Sequence, residues 1–163
     1  MTEKGSYVTY DLFARNPGIK IAEVFDIQGD AVKAFDHADV LLGKKSPVNA
    51  FICLEASAGK EVATVLSNHK ETGKVLIAMD SDADTLEWLQ KGFDNATIAQ
   101  KPWSMPYVGV NMLDRLHHDK VQPLDRDWAK DSHAPIPSYV DTGHMLIDKS
   151  NVADFIAANK EEK

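Results

Sequence analysis

Cysteine is almost absent from this sequence, which contains only Cys53 among its 163 residues. A single cysteine excludes an internal disulfide and any zinc site built from cysteines. Long apolar runs are missing too, because no stretch approaches the ~18 residues that a membrane-spanning helix needs. The first ten residues lack the basic start and apolar centre of a secretory signal. We therefore expect neither a membrane-spanning helix nor a signal peptide within this chain.

Basic residues are outnumbered by acidic ones, with 18 Lys and Arg against 25 Asp and Glu and a net charge of -7. A nucleic-acid-binding surface needs clustered Lys and Arg side chains, so nucleic acid is not an expected partner. A length of 163 residues with 44% hydrophobic side chains suits one ordinary globular domain that buries a real core.

The stretch Lys74–Pro102 contains the clearest pattern in the chain. An apolar run at Val75–Met79 predicts a strand, and the acidic cluster Asp80–Asp84 follows it directly. A short helix over Thr85–Lys91 and a second strand over Ala96–Gln100 come next. Together they make a βαβ unit, whose two strands end at the same edge of a sheet. Ligands bind beyond the carboxyl ends of the strands in open α/β sheets, so this edge is the predicted site.

Polar side chains follow three predicted strands directly at this edge. Glu55 comes after the strand Ala50–Leu54, while Asp80 and Gln100 end the two strands of the βαβ unit. Carboxylates accept paired hydroxyl donors, and an amide both donates and accepts, so the row suits a polyhydroxylated or amino-bearing solute. Polar residues also end strands simply because the chain leaves the core there, and spacing by itself leaves that alternative open.

The rest of the chain alternates helix and strand, which predicts an α/β class with a mainly parallel sheet. Before the βαβ unit we predict a helix at Tyr7–Arg15, the turn Asn16–Gly18, a strand at Ile19–Phe25, a helix from the N-cap Asp30 to Leu42 and a helix carrying Val62, Val65 and Leu66. After it we predict a helix at Trp103–His118, an extended loop at Lys120–Pro137, a strand at Ser138–Asp148 and a terminal helix capped by Ser150. The predicted inward-facing residues are Val32, Phe35, Ala38 and Leu42 in the helix after Asp30, and Met105, Val108, Met112, Leu113 and Leu116 in the helix Trp103–His118.

Metal and catalytic motifs are poorly represented. The cluster Asp80–Asp84 imitates the start of a calcium loop, but Thr85 and Lys91 stand where Gly and Glu are needed. His117 and His118 are adjacent on a predicted helix, so they cannot share a metal as an i, i+4 pair could. The sequence contains no Gly-x-Ser-x-Gly elbow and no nucleophile with an obvious base. We expect no bound metal, no cofactor and no enzymatic activity.

A resemblance to a known family extends from roughly Tyr10 to Phe155. It is carried by three segments, AFICLEASAGKEVATVL, KVLIAMDSDADTLEWLQKGFDNATIAQKPWSMPYVGVNMLDRL and SYVDTGHMLIDKSNVADF. The chain resembles the C-terminal lobe of type I periplasmic solute-binding proteins, the sugar-binding components of ABC transporters, which are related to effector domains of LacI-type regulators. The resemblance implies a flavodoxin-like lobe, doubly wound, with a mainly parallel sheet and helices on both faces.

The resemblance also implies a ligand-binding set. Asp80 and Gln100 match positions that contact the ligand in that family, and Glu55 stands where an Asn or Asp is usual. Ser57 and Trp103 complete the expected set, since a Trp ring can stack on a sugar face. The implied function is non-enzymatic binding of a sugar or polyol, outside the cytoplasm, in partnership with a membrane ABC permease.

Family members have two lobes with the ligand between them, whereas this chain resembles one lobe, and residues 103–137 would normally pack on the other. The chain therefore looks like a fragment or truncated form, with weak or absent binding. The opening strand of the lobe, which would lie between Ile19–Phe25 and Ala50–Leu54, also has no counterpart. Open strand edges and an uncovered helix predict a homodimer built partly from Trp103–His118 and a terminal strand, either Ser6–Tyr10 or Tyr139–Ile147.

Two alternatives belong to other classes. A response-regulator receiver domain is also α/β, and Glu55 and Lys101-Pro102 resemble its phosphoacceptor and Lys-Pro positions. The paired acidic residues of its first strand are missing, and Glu in place of the acceptor Asp would not be phosphorylated. A LacI-type effector domain shares the fold of the first interpretation but would need an N-terminal helix-turn-helix, which this sequence does not show.

Overall fold

The computed structural model describes residues 15–44, 46–119 and 122–160. The predicted strand Ser6–Tyr10 and the predicted helix Tyr7–Arg15, apart from its last residue, lie outside the described residues. Among the described residues, no helix combines the length and the apolar character that crossing a bilayer requires.

Five helices and four strands alternate along the described chain. They are α1 (Ala31–Gly43), β1 (Ala50–Ile52), α2 (Ala56–Asn68), β2 (Val75–Met79), α3 (Ala83–Lys91), β3 (Ala96–Gln100), α4 (Ser104–His118), β4 (His144–Asp148) and α5 (Val152–Lys160).

The four strands form one open sheet in the order β1-β2-β3-β4. The pairs β1–β2 and β2–β3 are parallel, and β4 runs antiparallel to β3, with Gln100 opposite His144. A mainly parallel sheet in an α/β chain is thereby confirmed. Residues 101–143 connect β3 to the neighbouring strand β4 and lie outside the sheet. This connection, which contains α4, is called the excursion below.

The core covers one face of the sheet. Leu76, Ala78, Thr97, Ala99 and Ile147 are buried on that face, and the strand register places them side by side. Helices α1 and α2 pack over β1 and β2, while α3 and α5 pack over β3 and β4. Among the described residues, the four helices that join the core thus lie on the same face, in an α/β fold with an open, mainly parallel sheet as predicted.

The opposite face of the sheet is apolar and only partly covered within the described residues. Ile52 and Leu146 are about half exposed, at 55% and 53%, and lie on this face together with the half-buried Ile77, Met79 and Ile98. Period-two alternation in the strands explains the division, because successive side chains point to opposite faces.

The predicted helix boundaries agree with the structure at several caps. Asp30 caps α1 and accepts a hydrogen bond from the Val32 N–H at 3.0 Å. Gly92 ends α3 in the left-handed region at φ 85°, a conformation that glycine adopts without steric cost. The terminal helix begins after Asn151 rather than directly after Ser150, which instead donates a hydrogen bond to Asp148.

The predicted inner face of α1 was wrong at one position. Val32 is 64% exposed, whereas Ala34, Ala38 and Leu42 are buried. Residues four apart share a helix face, and the face centred on Ala38 therefore leaves Val32 well to one side.

The predicted strand Ile19–Phe25 is not formed: these residues have no regular secondary structure and are exposed. A strand requires a neighbour for its backbone hydrogen bonds, and none of the four described strands pairs with this segment. The predicted strand Ser138–Asp148 is shortened to β4 for the same reason, because β3 ends at Gln100 opposite His144 and offers nothing further to pair with.

Helix α4 has the predicted extent but no buried residue. Of the residues predicted to face inward, Met105 and Leu113 are exposed, and Val108, Met112 and Leu116 are only half-buried. Its apolar side chains therefore lack a covering partner among the described elements.

Candidate functional site

The carboxyl ends of β1, β2 and β3 lie at one edge of the sheet, because these three strands are parallel. Asp80 directly follows β2, and Gln100 is the last residue of β3. Glu55 comes three residues after β1, at the N-cap of α2. The ends of β2 and β3 are as the sequence predicted, whereas β1 ends at Ile52 and not at the predicted Leu54, so Glu55 does not follow its strand directly. Contact of these side chains with a ligand stays a prediction.

Asp80 and Gln100 are brought into direct contact. The Gln100 Nε2 group donates a hydrogen bond to Asp80 Oδ1 at 2.7 Å. Among the described residues no protein donor reaches Asp80 Oδ2 or occupies the Gln100 Oε1 acceptor. The pair therefore presents two unused oxygen acceptors at the end of adjacent strands.

The backbone of Asp80 is fixed on two sides. Its N–H donates to the Ile98 carbonyl at 2.9 Å, and its own carbonyl accepts from the Thr97 hydroxyl at 2.6 Å. Asp80 has φ 70°, in the left-handed region that Asp tolerates better than most residues. Such backbone conformations cost of order 1 kcal/mol and cluster at ligand clamps and active sites. The carboxylate is therefore held in place by its backbone.

Glu55 stands apart from this pair. Its side chain is exposed and makes no capping hydrogen bond to α2, and in the described part of the chain no hydrogen bond joins it to Asp80 or Gln100. Ser57 is half-buried in the first turn of α2. That turn lies close to β2, since a Cβ added at Gly59 would be 2.6 Å from the Ala78 Cβ.

Trp103 lies three residues beyond Gln100, just before α4, and is 88% exposed. The chain leaves the sheet in the segment after Gln100, and the segment that leads back into β4 lies beside it. A Cβ added at Gly143 would be 2.9 Å from the Lys101 Nζ, so the Lys101 side chain lies against the backbone of Gly143. The Trp103 ring is available to a ligand or to another surface.

Two residues of the site were missed from the sequence. Thr97 is fully buried in β3 and holds the Asp80 carbonyl, and Asp82 caps α3 by accepting from the Asp84 and Thr85 N–H groups. The alternation of the stretch Ala96–Gln100 places Thr97 on the same face as a buried alanine. A buried hydroxyl on that face needs a hydrogen-bond partner, and this requirement could have identified Thr97 from the sequence.

Two shallow clefts of the described chain lie away from this edge. One of about 370 Å³ is lined by residues of the excursion, including Trp128, Asp131 and Tyr139. Another of about 230 Å³ lies between α2 and α3 around Lys60 and Trp88. Neither contains a predicted ligand-binding residue, and within the described ranges no three His, Cys, Asp or Glu side chains gather as metal ligands.

A buried carboxyl lies in the loop that leads into β3. Asp94 is 1% exposed, and its Oδ1 has no hydrogen-bond partner among the described residues. Burial raises the pKa of Asp94 to about 7, although the N–H groups of Ala96 and Asn95 lower it in part. Burial, followed by the nearby Asp94 charge, raises the pKa of Cys53 to about 12, so this thiol stays protonated and unreactive at neutral pH.

Comparison with known proteins identifies similar sequences and folds. Residues 6–120 match the family model described as "Periplasmic binding protein domain". A sugar-binding protein of a sugar ABC transporter from Bacillus halodurans is 30% identical, with a TM-score of 0.68, over 90% of this chain and 49% of that one. AraP, an arabinose binding protein from Geobacillus stearothermophilus, is 27% identical with a TM-score of 0.69, over 90% and 49%. GanP, a glucose-galactose binding protein from the same species, is 28% identical with a TM-score of 0.70, over 86% and 46%.

The match thus covers most of this chain but only about half the length of each of those solved structures. Among curated protein sequences, none matches this chain significantly.

Proposed function

The chain belongs to the periplasmic binding protein family, with the extent of a single lobe, and we propose that this lobe binds a monosaccharide or polyol for an ABC transporter. The observation that carries the proposal is the Asp80–Gln100 pair, which joins the ends of two adjacent parallel strands through a 2.7 Å hydrogen bond. Ligands of open α/β sheets bind beyond this edge.

The chemistry of the pair suits a polyhydroxylated solute. Asp80 Oδ2 accepts hydroxyl donors, and the charge of the carboxylate makes such hydrogen bonds stronger than neutral ones. Gln100 Oε1 accepts from a neighbouring hydroxyl while its amide nitrogen keeps Asp80 oriented. A pair of adjacent hydroxyls on a sugar ring offers the matching pattern.

Three further side chains extend the proposed contact surface. Glu55 supplies a second carboxylate at the N-terminus of α2, and Ser57 supplies a hydroxyl in its first turn. The exposed Trp103 ring supplies an apolar face for stacking. Because Glu55 makes no hydrogen bond to the pair in the described chain, we assign the primary contact to Asp80 and Gln100.

Binding by the isolated chain is weak in this proposal. Well-formed sites bury roughly 70–90% of a small ligand, and a single sheet edge cannot enclose one. A dissociation constant of about 1 mM corresponds to only about -4 kcal/mol, which a few hydrogen bonds and one stacking contact can supply. The other half of the similar solved structures would supply the enclosing wall.

Titration followed by NMR tests the proposal. Amide shifts of the isotope-labelled chain are followed with D-arabinose, D-fucose, D-glucose and myo-inositol up to tens of millimolar. We expect at least one saturable titration with shifts near residues 55, 80 and 100. Asp80→Ala and Gln100→Ala should each weaken it at least fivefold, whereas Gln90→Ala on the exposed side of α3 should leave it unchanged.

Two results would contradict this assignment. One is a submicromolar complex with a monomeric chain, which an unenclosed edge cannot provide. The other is a titration that both site variants leave intact, which would move binding to another surface. Absence of any titration with all four solutes would reject solute binding by the isolated lobe.

The partners and location in this proposal follow from the family. The similar solved structures are sugar-binding proteins rather than enzymes, one of them from a sugar ABC transporter. We assign this chain a non-enzymatic role outside the cytoplasm, with a membrane ABC permease as the partner of the complete binding protein.

A homodimer of the isolated chain is also part of the proposal. Helix α4 has no buried residue, and Trp103, Tyr107, Val110 and Leu113 are exposed along it. Contiguous apolar patches larger than a few hundred Å² rarely stay exposed on a soluble monomer. In a longer protein the first lobe would cover α4; in the isolated chain a second copy covers it, together with a terminal strand. Light scattering coupled to gel filtration tests this, and Val110→Asp should weaken the association if α4 is the interface.

A further inference from the structure

The segment Ile19–Phe25 has the composition of a strand without a strand partner. Val24 is 85% exposed, and Ile19 and Ile21 are about half exposed. From Lys20 to Val24 the backbone makes no backbone hydrogen bond within the described chain. Exposed backbone groups flanked by β-branched side chains are a template for pairing with another chain.

The segment is nevertheless held in position at both ends. The Ile19 N–H donates to the Asn16 carbonyl at 2.9 Å, closing the turn before it. At the other end the Phe25 ring stacks on His37 of α1 with centroids 3.9 Å apart, and Ile27 is buried in the core. The residues between these anchors are exposed to solvent and are not covered by α1.

The sequence of the segment is complementary to itself. In an antiparallel pairing of two copies centred between Ile21 and Ala22, Lys20 of each copy lies opposite Glu23 of the other. Ile19 then lies opposite Val24, and Ile21 opposite Ala22. Opposite charges and apolar pairs directly across two strands are the stabilising combinations. A two-fold axis repeats each contact, as an isologous interface requires.

Shifting the register by one residue destroys this match. A pairing centred on Ala22 places Lys20 opposite Val24 and Ile21 opposite Glu23, so that each charge faces an apolar side chain. Among the described residues Lys20 has no ion pair of its own, and Glu23 pairs only with His37, at 3.2 Å between Oε2 and Nε2. The charge pattern therefore selects one register and favours a second copy over an unrelated strand.

We propose that two copies of this chain associate through antiparallel pairing of Ile19–Val24, in the register that sets Lys20 against Glu23. This contact goes beyond the proposed function and is separate from α4, which lies in the excursion after β3. A ribbon of two short strands is marginally stable in water, so the association is weak. We expect a dissociation constant of tens to a few hundred micromolar.

Charge exchange tests the pairing and its register together. Lys20→Glu gives a chain with two acidic side chains at positions 20 and 23, and Glu23→Lys gives one with two basic side chains. In a chain that carries Val110→Asp to remove association through α4, each variant should self-associate at least tenfold more weakly than the parent chain, since like charges then face each other twice. An equimolar mixture of the two should recover association as a heterodimer, and the double variant Lys20→Glu/Glu23→Lys should recover a homodimer.

Sedimentation velocity from 5 to 500 µM is the measurement, with one chain carrying a fluorescent label in the mixing experiment. Arg126→Glu, an equal charge change in the excursion, is the matched control and should associate like the wild type. Circular dichroism checks that each variant is folded, which is expected because both positions are exposed. A wild type that is monomeric throughout, or variants whose mixture does not associate, would overturn the pairing. Loss of association in Val110→Asp but not in Lys20→Glu would assign the contact to α4 instead.

Discussion

The Gln100 Nε2 atom lies 2.7 Å from the Asp80 Oδ1 atom, which links the ends of two adjacent parallel strands through their side chains. The contact depends on β2 and β3 being neighbours and on the bend at Asp80, whose φ is 70°. Both residues belong to one polar unit whose geometry is set by the sheet. Changes to either residue, or to the groups that hold them, should therefore affect the unit as a whole.

Gln100→Glu should make the lobe less stable at neutral pH than at acidic pH. A second carboxylate against Asp80 raises the pKa of the pair in the folded chain above the value in the unfolded chain. The folded pair retains protons that the unfolded pair loses, so relative stability is greatest below the unfolded pKa and falls as the pH rises. We expect a loss of about 1 kcal/mol at pH 7 and little at pH 4. Urea unfolding at both pH values measures it, with Gln90→Glu as the exposed control; equal losses at the two pH values would contradict the mechanism.

Thr97→Val should destabilise the lobe by about 1–2 kcal/mol, because it removes the donor to the Asp80 carbonyl while keeping the side-chain volume. The amide signal of Asp80 should also shift, since its backbone loses one of two anchors. Thr97→Ser keeps the hydroxyl, and its backbone shift at Asp80 should be much smaller. An unaltered Asp80 signal in Thr97→Val would show that the hydroxyl does not position the bend.

Gly59→Ala should cost roughly 1–3 kcal/mol, because the added Cβ would lie 2.6 Å from the Ala78 Cβ and force α2 away from β2. Gly109→Ala in α4 is the matched control: nothing lies within 4 Å of an added Cβ there, so the better helix propensity of Ala should make it neutral or slightly stabilising. Thermal or urea unfolding compares the two.

The double variant Gly59→Ala/Ala78→Gly provides the internal test of that clash. Removal of the Ala78 Cβ takes away the atom that the new methyl group meets. The double variant should therefore be more stable than the sum of the two single changes predicts, by about 1 kcal/mol or more. Additive effects would mean that the cost of Gly59→Ala does not come from this contact.

Asp94→Asn should remove a pH dependence from the stability of the lobe. Asp94 keeps its proton in the folded chain up to a pKa of about 7, against an ordinary value of 3.8. Its contribution is therefore full below pH 4 and is lost as the pH rises towards 7 and beyond. The amide cannot ionise, so Asp94→Asn should gain relative to the wild type as the pH rises from 4 to 8. The gain is at most about 4 kcal/mol, since one unit is about 1.4 kcal/mol.

The difference between wild type and Asp94→Asn isolates this group. The pKa values of Asp131 and Asp148 are lowered, by the backbone N–H of Asp125 and by the Ser150 hydroxyl respectively, and oppose the trend equally in both proteins. Unfolding in urea at pH 4, 6 and 8 measures the difference. A constant difference across that range would show that Asp94 binds protons in the folded chain as it does in the unfolded chain, and would contradict the raised pKa.

The sequence by itself determined the local features of this protein. Apolar runs defined β2 and β3, a cap residue at Asp30 and a glycine at Gly92 defined the ends of two helices, and the polar residues Asp80 and Gln100 marked the ends of strands. These features depend on side chains within a few residues of each other. The family, too, was readable from contiguous segments of the chain.

Only the tertiary structure decided the features that depend on a partner from elsewhere in the chain. Ile19–Phe25 has a strand pattern but no strand, because a strand exists only where a neighbour accepts its hydrogen bonds. The burial of Asp94 and the exposure of α4 likewise follow from what packs against them. The Asp80–Gln100 contact joins residues twenty positions apart, and only the side-by-side pairing of β2 and β3 brings them within hydrogen-bonding distance.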